Sequence, residues 1–119
     1  MKYLLLIYSA EDSYVEGERE ACFHESLRLT QDLRAKGQYV SASPLRSVST
    51  ATSVRVRNGK RLVTDGPFAE TREQLGGYYL IEANNLDEAI DVAGRIPAAK
   101  KGTVEVRPLE VVPGVTEHL

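Results

Sequence analysis

Tyr3 to Tyr8 is apolar or aromatic at every position, so both faces of an extended segment would be covered. That pattern predicts a central strand. From about Glu18 to Lys36 the spacing changes to that of a helix. Cys22, Ser26, Leu29 and Leu33 follow i, i+4, i+7 and i+11, and Phe23, Leu27 and Thr30 widen the stripe. Gly37 is a suitable stop, and basic Arg34 and Lys36 suit the negative end of the helix dipole. Tyr39 to about Ala42 predicts a shorter, more polar strand ended by Pro44. After a Ser/Thr-rich connection, Val54-Arg55-Val56-Arg57 and Arg61-Leu62-Val63-Thr64 flank Asn58-Gly59, a strong hairpin signal because both turn residues tolerate positive φ. A two-residue turn sets Val56 opposite Arg61 and Arg55 opposite Leu62. Neither face is then purely apolar, and the hairpin is expected to project from the main sheet.

Asp65-Gly66-Pro67-Phe68 reads as a rigid turn. Thr71 to Gln74 matches a capping box and predicts one helical turn, broken at Gly76-Gly77. Tyr78 to Ala83 is a second strand apolar on both faces. Asn85 caps the next helix with Glu88 at the capping-box position; Leu86, Ala89, Ile90 and Ala93 form its stripe and Pro97 ends it. Thr103 to about Leu109 is the last strand. The fold class is therefore α+β: a ferredoxin-like βαβ-βαβ with an inserted β-hairpin and an antiparallel sheet. In that topology the two strands apolar on both sides occupy the middle. Two helices cover only one face, and the other would expose an apolar patch larger than soluble monomers tolerate. A homodimer through the sheet face is the expected cover.

The 119 residues fit one domain, taken as 1–112 with a C-terminal tail at 113–119. The net charge of −2 and pI near 5.7 give no electrostatic footprint for nucleic acid or an anionic membrane. Cys22 is the single cysteine, which excludes an intrachain disulfide and fits a reducing, cytoplasmic location. The apolar start is too short for a signal core, and no apolar run approaches the ~20 residues that span a bilayer.

The segment Val63 to Leu80, with Asp-Gly-Pro-Phe at 65–68 and Gly-Gly-Tyr-Tyr-Leu at 76–80, resembles the DGPF family of YCII-related proteins. Ala51 to Arg57, Leu86 to Ala89 and Gly102 to Pro108 match as well, so the resemblance runs from Met1 to about Leu109. It implies a ferredoxin-like fold of the dimeric α/β-barrel superfamily. It also implies gene neighbourhoods with extracytoplasmic-function sigma factors, hence a regulatory partner as one reading. A histidine–aspartate active site is proposed for some members, and the wider superfamily holds cofactor-free monooxygenases and dehydrochlorinase-like lyases. The family histidine lies early in the first helix. His24 is in that region here, while counting back from Gly37 brings Ser26 nearer the expected position.

Two residues are the candidates for acid–base chemistry. Asp65 sits where a strand gives way to a turn, beside Gly66, and could present a carboxylate to a cleft. Its alternative is a turn-former whose oxygens accept from nearby backbone N–H groups. His24 would suit neutral pH as a base, against the commoner reading of a partly buried or surface histidine. Tyr8, Gly66, Pro67, Phe68, Tyr79 and Arg55 are the binding candidates, with core or interface as the default for the tyrosines. Cys22 reads as core and His118 as a terminal residue without a role. The basic hairpin tip of Arg55, Arg57, Lys60 and Arg61 could meet an acidic partner. No phosphate loop, dinucleotide fingerprint, zinc-protease motif or nucleophile elbow occurs, so neither metal nor cofactor is expected. The functional expectation is a small-molecule site between sheet, hairpin and first helix, in a dimer with metal-free acid–base activity. The alternative is a non-enzymatic interaction or regulatory module.

Overall fold

The structure, a computed structural model, describes residues 1–116; His118 lies outside them. Six strands and two long helices follow in the order β1 (Lys2–Ser9), α1 (Glu18–Ala35), β2 (Tyr39–Pro44), β3 (Thr52–Arg57), β4 (Lys60–Asp65), β5 (Gln74–Glu82), α2 (Leu86–Arg95) and β6 (Thr103–Pro108). The main sheet is antiparallel in the order β2-β5-β1-β6, and β3 and β4 form a separate two-stranded sheet. This is the ferredoxin-like arrangement with its inserted hairpin. The central strands β1 and β5 are the two that are apolar on both faces, and the more polar β2 and β6 take the edges.

Strand alternation divides the sheet. Tyr3 pairs with Ile81, Leu5 with Tyr79 and Leu5 with Val106, all on the helix side. There Leu29 and Leu33 of α1 join Ala89, Val92 and Ala93 of α2, with Ile96 just beyond, in one buried cluster. Each fully buried Leu or Ile contributes about 1.5–3 kcal/mol. The opposite face presents Leu4, Leu6, Tyr8, Tyr78 and Leu80, all half-buried, with no helix over them.

Local devices agree with the expected elements in most places. Asn85 caps α2, its Oδ1 accepting the Glu88 N–H at 2.9 Å. The reciprocal half of that box is absent: the Glu88 carboxylate instead accepts from Gln38 at 2.7 Å, which ties α2 to the β2 approach. The expected helical turn at Thr71 does not form. Gln74 Nε2 donates to the Thr71 carbonyl at 2.8 Å, and β5 starts at Gln74, running through Gly76 and Gly77 rather than breaking there. The tight packing of strands explains this. A Cβ on Gly77 would meet the Ser43 carbonyl at 2.9 Å, so glycine is what lets β2 approach.

Gly102 is a closer contact still. A Cβ there would collide with the Tyr8 carbonyl oxygen and lie 2.9 Å from Ser9 Cβ, where β6 enters beside β1. Backbone cannot yield as a side-chain tip can. Gly102→Ala should therefore lower stability by about 1–3 kcal/mol, read by urea unfolding. An unchanged midpoint would show that the β1–β6 junction is looser than this.

Candidate functional site

The first half of α1 is the origin of the site. No residue from Glu18 to Arg28 is buried, whereas Leu29 and Leu33 are. The helix is seated at its C-terminal half and stands away from the sheet at its N-terminal half. Between them lies a cavity of about 360 Å³, within the range of small-molecule sites. Cys22, Phe23, Ser26, Leu27 and Thr30 form its α1 wall. Ile7, Ala42 and Tyr79 supply the sheet side. The exposed lining residues Leu45, Arg46 and Ser47 mark the open end, where β2 leaves toward the hairpin.

Polar groups are few and placed at intervals. The Tyr79 hydroxyl donates to the Ser26 carbonyl at 3.3 Å and lies 3.5 Å from the Thr30 hydroxyl. Gln74 lines the cavity too, and its buried Oε1 has no hydrogen-bond partner among the described residues. At the rim, Glu11 accepts from the Val48 backbone N–H at 2.7 Å and from the Ser47 hydroxyl at 2.8 Å. Those bonds, the backbone one foremost, hold the Glu11 carboxyl below its ordinary range. Arg19 stacks 5.9 Å from the Tyr14 ring, and among the described residues Arg46 has neither an ion pair nor a hydrogen bond through its side chain. Burial, followed by Glu25 and Glu18, pushes the Cys22 thiol above its ordinary value. Cys22 thus lines the cavity rather than the core.

Of the eight residues singled out from the sequence, only Tyr79 lines this cavity. Tyr8 lies on the open sheet face; burial, then the nearby Glu105 carboxylate, raises its phenol. His24 is 72% exposed, its Nε2 3.9 Å from Glu20. Asp65, Pro67 and Phe68 are exposed, Gly66 is partly so, and Arg55 is on the exposed hairpin. Among the described residues no hydrogen bond or ion pair engages the Asp65 carboxylate, so neither arrangement expected for it, cleft-facing or bonded to its own turn, is present within one chain. The turn is held instead by its backbone: Gly66 N–H donates to Ala51 at 2.7 Å, and the Ser53 hydroxyl donates to the Gly66 carbonyl at 2.7 Å. Phe23, Leu27, Ala42 and Arg46 were not singled out. The signal for the first two was an apolar stripe on α1 broader than one sheet face can bury.

A four-stranded antiparallel sheet in the order β2-β5-β1-β6, with two helices and an inserted hairpin, defines a ferredoxin-like fold. The chain belongs to the YCII-related family, whose domain matches residues 1–112. It is 41% identical to "Uncharacterized protein R00369" of Rhizobium meliloti (strain 1021), with 92% of each chain covered. Its fold is similar to 5-chloro-2-hydroxyhydroquinone dehydrochlorinase (TftG) of Burkholderia phenoliruptrix AC1100, solved in complex with 2,5-dihydroxybenzoquinone. That match has a TM-score of 0.56 and 15% identity, over 92% of this chain and 94% of that one. Among the described residues no helix is long and apolar enough to cross a membrane, and no group of three or more His, Cys, Asp or Glu could hold a metal ion.

The Glu11 clamp has a pH signature. Its folded value is below the ordinary 4.5, so the stabilisation it contributes is present above the unfolded value and is lost as pH falls through the folded one. A carbon-detected NMR titration should place the Glu11 midpoint below 4.5, with the Val48 amide shifting in step. A midpoint at or above 4.5 would mean that the clamp at the rim is not made.

Proposed function

We propose that the chain is a small-molecule-binding protein that acts as a homodimer through its open sheet face, its ligand lying between α1 and the sheet. The observation that carries this is the cavity itself: about 360 Å³, walled by Phe23, Leu27, Ile7 and Ala42, which a purely structural helix would have closed. Phe23 and Leu27 remain 53% and 54% exposed. Covering them with a ligand returns about 25 cal/mol for each Å² of apolar surface removed from water. The hydroxyls of Tyr79 and Thr30 can turn toward a ligand oxygen, and the Arg46 guanidinium at the open end can meet an acidic group. A single ring carrying oxygens fits these features. The dehydrochlorinase of similar fold is seen with a ligand of that kind, a dihydroxybenzoquinone.

Acid–base activity without a metal goes with this reading as its catalytic form. The Tyr79 hydroxyl is one hydroxyl at the cavity wall that could exchange a proton with a ligand, beside the Cys22 thiol and the Tyr14 and Tyr39 hydroxyls. Asp65 or His24 takes part only where a second copy brings the hairpin or the outer face of α1 to the site.

Tyrosine fluorescence is a direct readout, since the chain has six tyrosines and no tryptophan. Titration with a panel of hydroxybenzoates and hydroxyquinones should give saturable changes. Ser26→Phe puts a ring into the cavity from a helix position that does not join the core, and should weaken binding at least tenfold, about 1.4 kcal/mol, without lowering the melting temperature. Unchanged affinity in that variant, or no saturable ligand, would contradict the reading.

A further inference from the structure

The β3–β4 hairpin is an arm without cover. Every residue from Val54 to Asp65 is exposed. Val54 and Val63 face each other across the strands with Val56 beside them, at 59%, 58% and 62% exposure, and Leu62 on the other face is 47% exposed. An isolated two-stranded hairpin is at best marginally stable in water. This one carries a further burden, because Arg57 lies directly opposite Lys60 and Arg55 is next along the same face. Like charges opposed across strands destabilise the pair. The tip holds four cations, Arg55, Arg57, Lys60 and Arg61, and no carboxylate; among the described residues none of the four has an ion pair. The molecule is correspondingly broad and flat, 47 × 46 × 19 Å, with a radius of gyration of 16.2 Å, against about 13.5 Å for a compact chain of this length.

The opposite charge is collected elsewhere in the chain. The stretch from Glu11 to Glu25 carries six carboxylates and one arginine, Arg19. Glu11 is engaged by Val48 and Ser47, and Glu18 by Lys101 at 2.8 Å. Asp12, Glu16 and Glu25 have no ion pair among the described residues, and Glu20 has only His24.

We infer that the arm is a dimer clasp: the hairpin of one copy lies across the acidic 11–25 stretch of a second copy, the face that carries Arg55, Arg57, Lys60 and Leu62 turned against those carboxylates. This rests on the dimer proposed above and extends it, since two-fold symmetry makes the clasp reciprocal. Glu11, Tyr14 and Arg19 of the acidic stretch also line the cavity. The clasp therefore sets the partner's arm at the border of each site, and each site is complete only in the dimer. It also relieves the Arg57–Lys60 opposition, which no carboxylate among the described residues does.

Analytical ultracentrifugation over a dilution series tests this with three samples: the wild type, R57E/K60E, and E16K/E20K. All four positions are exposed, and thermal melts confirm that the variants fold. The wild type should sediment at twice the 13.2 kDa chain mass. Each variant alone should dissociate at concentrations at least tenfold higher, and their equimolar mixture should recover wild-type affinity, because the mixed pair restores both contacts. Variants that dimerise like the wild type would overturn the clasp while leaving the sheet-face dimer standing. Loss of dimer without rescue in the mixture would overturn the clasp's assigned partner surface. A wild type that stays monomeric would overturn clasp and sheet-face dimer together. Tight duplex DNA binding that R57E/K60E abolishes, with dimerisation unchanged, would assign the arm to nucleic acid instead.

Discussion

The way α1 is seated governs much of what surrounds it. Only Leu29 and Leu33 of this 18-residue helix enter the buried cluster, where they meet Tyr79 and Ile81 of β5 and the small faces of α2. Had Phe23 and Leu27 packed as well, the helix would lie flat and no cavity would remain. Their exposure leaves apolar surface facing a space roomy enough for a ring. The devices that hold the stand-off are polar and lie at its ends. Glu11 clamps the Ser47–Val48 segment at the rim, and Lys101, just ahead of β6, reaches the Ser13 carbonyl and the Glu18 carboxylate. At the other end, Arg95 of α2 meets Asp32 at 2.7 Å, which also holds that carboxyl low.

The sheet imposes a second requirement. Its helix side is filled, while Leu4, Leu6, Tyr8, Tyr78 and Leu80 occupy a face over which neither helix lies among the described residues. The hairpin adds a third surface in need of a neighbour. In the proposed dimer a second copy would meet both needs at once, and it would give the Asp65–Phe68 turn at the foot of the arm a neighbour.

The strands and helices were legible in the sequence because their periodicities are clean. Tyr3–Tyr8 is apolar or aromatic throughout and Tyr78–Ala83 is so at every position but Glu82, and Asn58-Gly59 admits few structures other than a hairpin turn: Asn58 takes φ +52° and Gly59 +73°. Gly76 and Gly77 misled, since glycine reads as a break wherever the close approach of another strand is unseen. The site was legible only in outline. A cleft between sheet and first helix could be expected, but Phe23 and Leu27 look the same in sequence whether they face a core or a cavity. Asp65 stands out in the sequence through its Asp-Gly-Pro-Phe motif, but a motif does not fix what a projecting turn faces.

Cys22 offers the most direct test that the space behind α1 is open. It is the sole cysteine and lines the cavity, and burial raises its thiol. The thiolate is the reactive form. Iodoacetamide, small and uncharged, should therefore label Cys22 in the native protein, more slowly than a free cysteine and faster as pH rises, and a bound ring compound should slow it further. A thiol that stays unreactive until the protein unfolds would show that α1 is closed onto the sheet and that the cavity does not exist in solution.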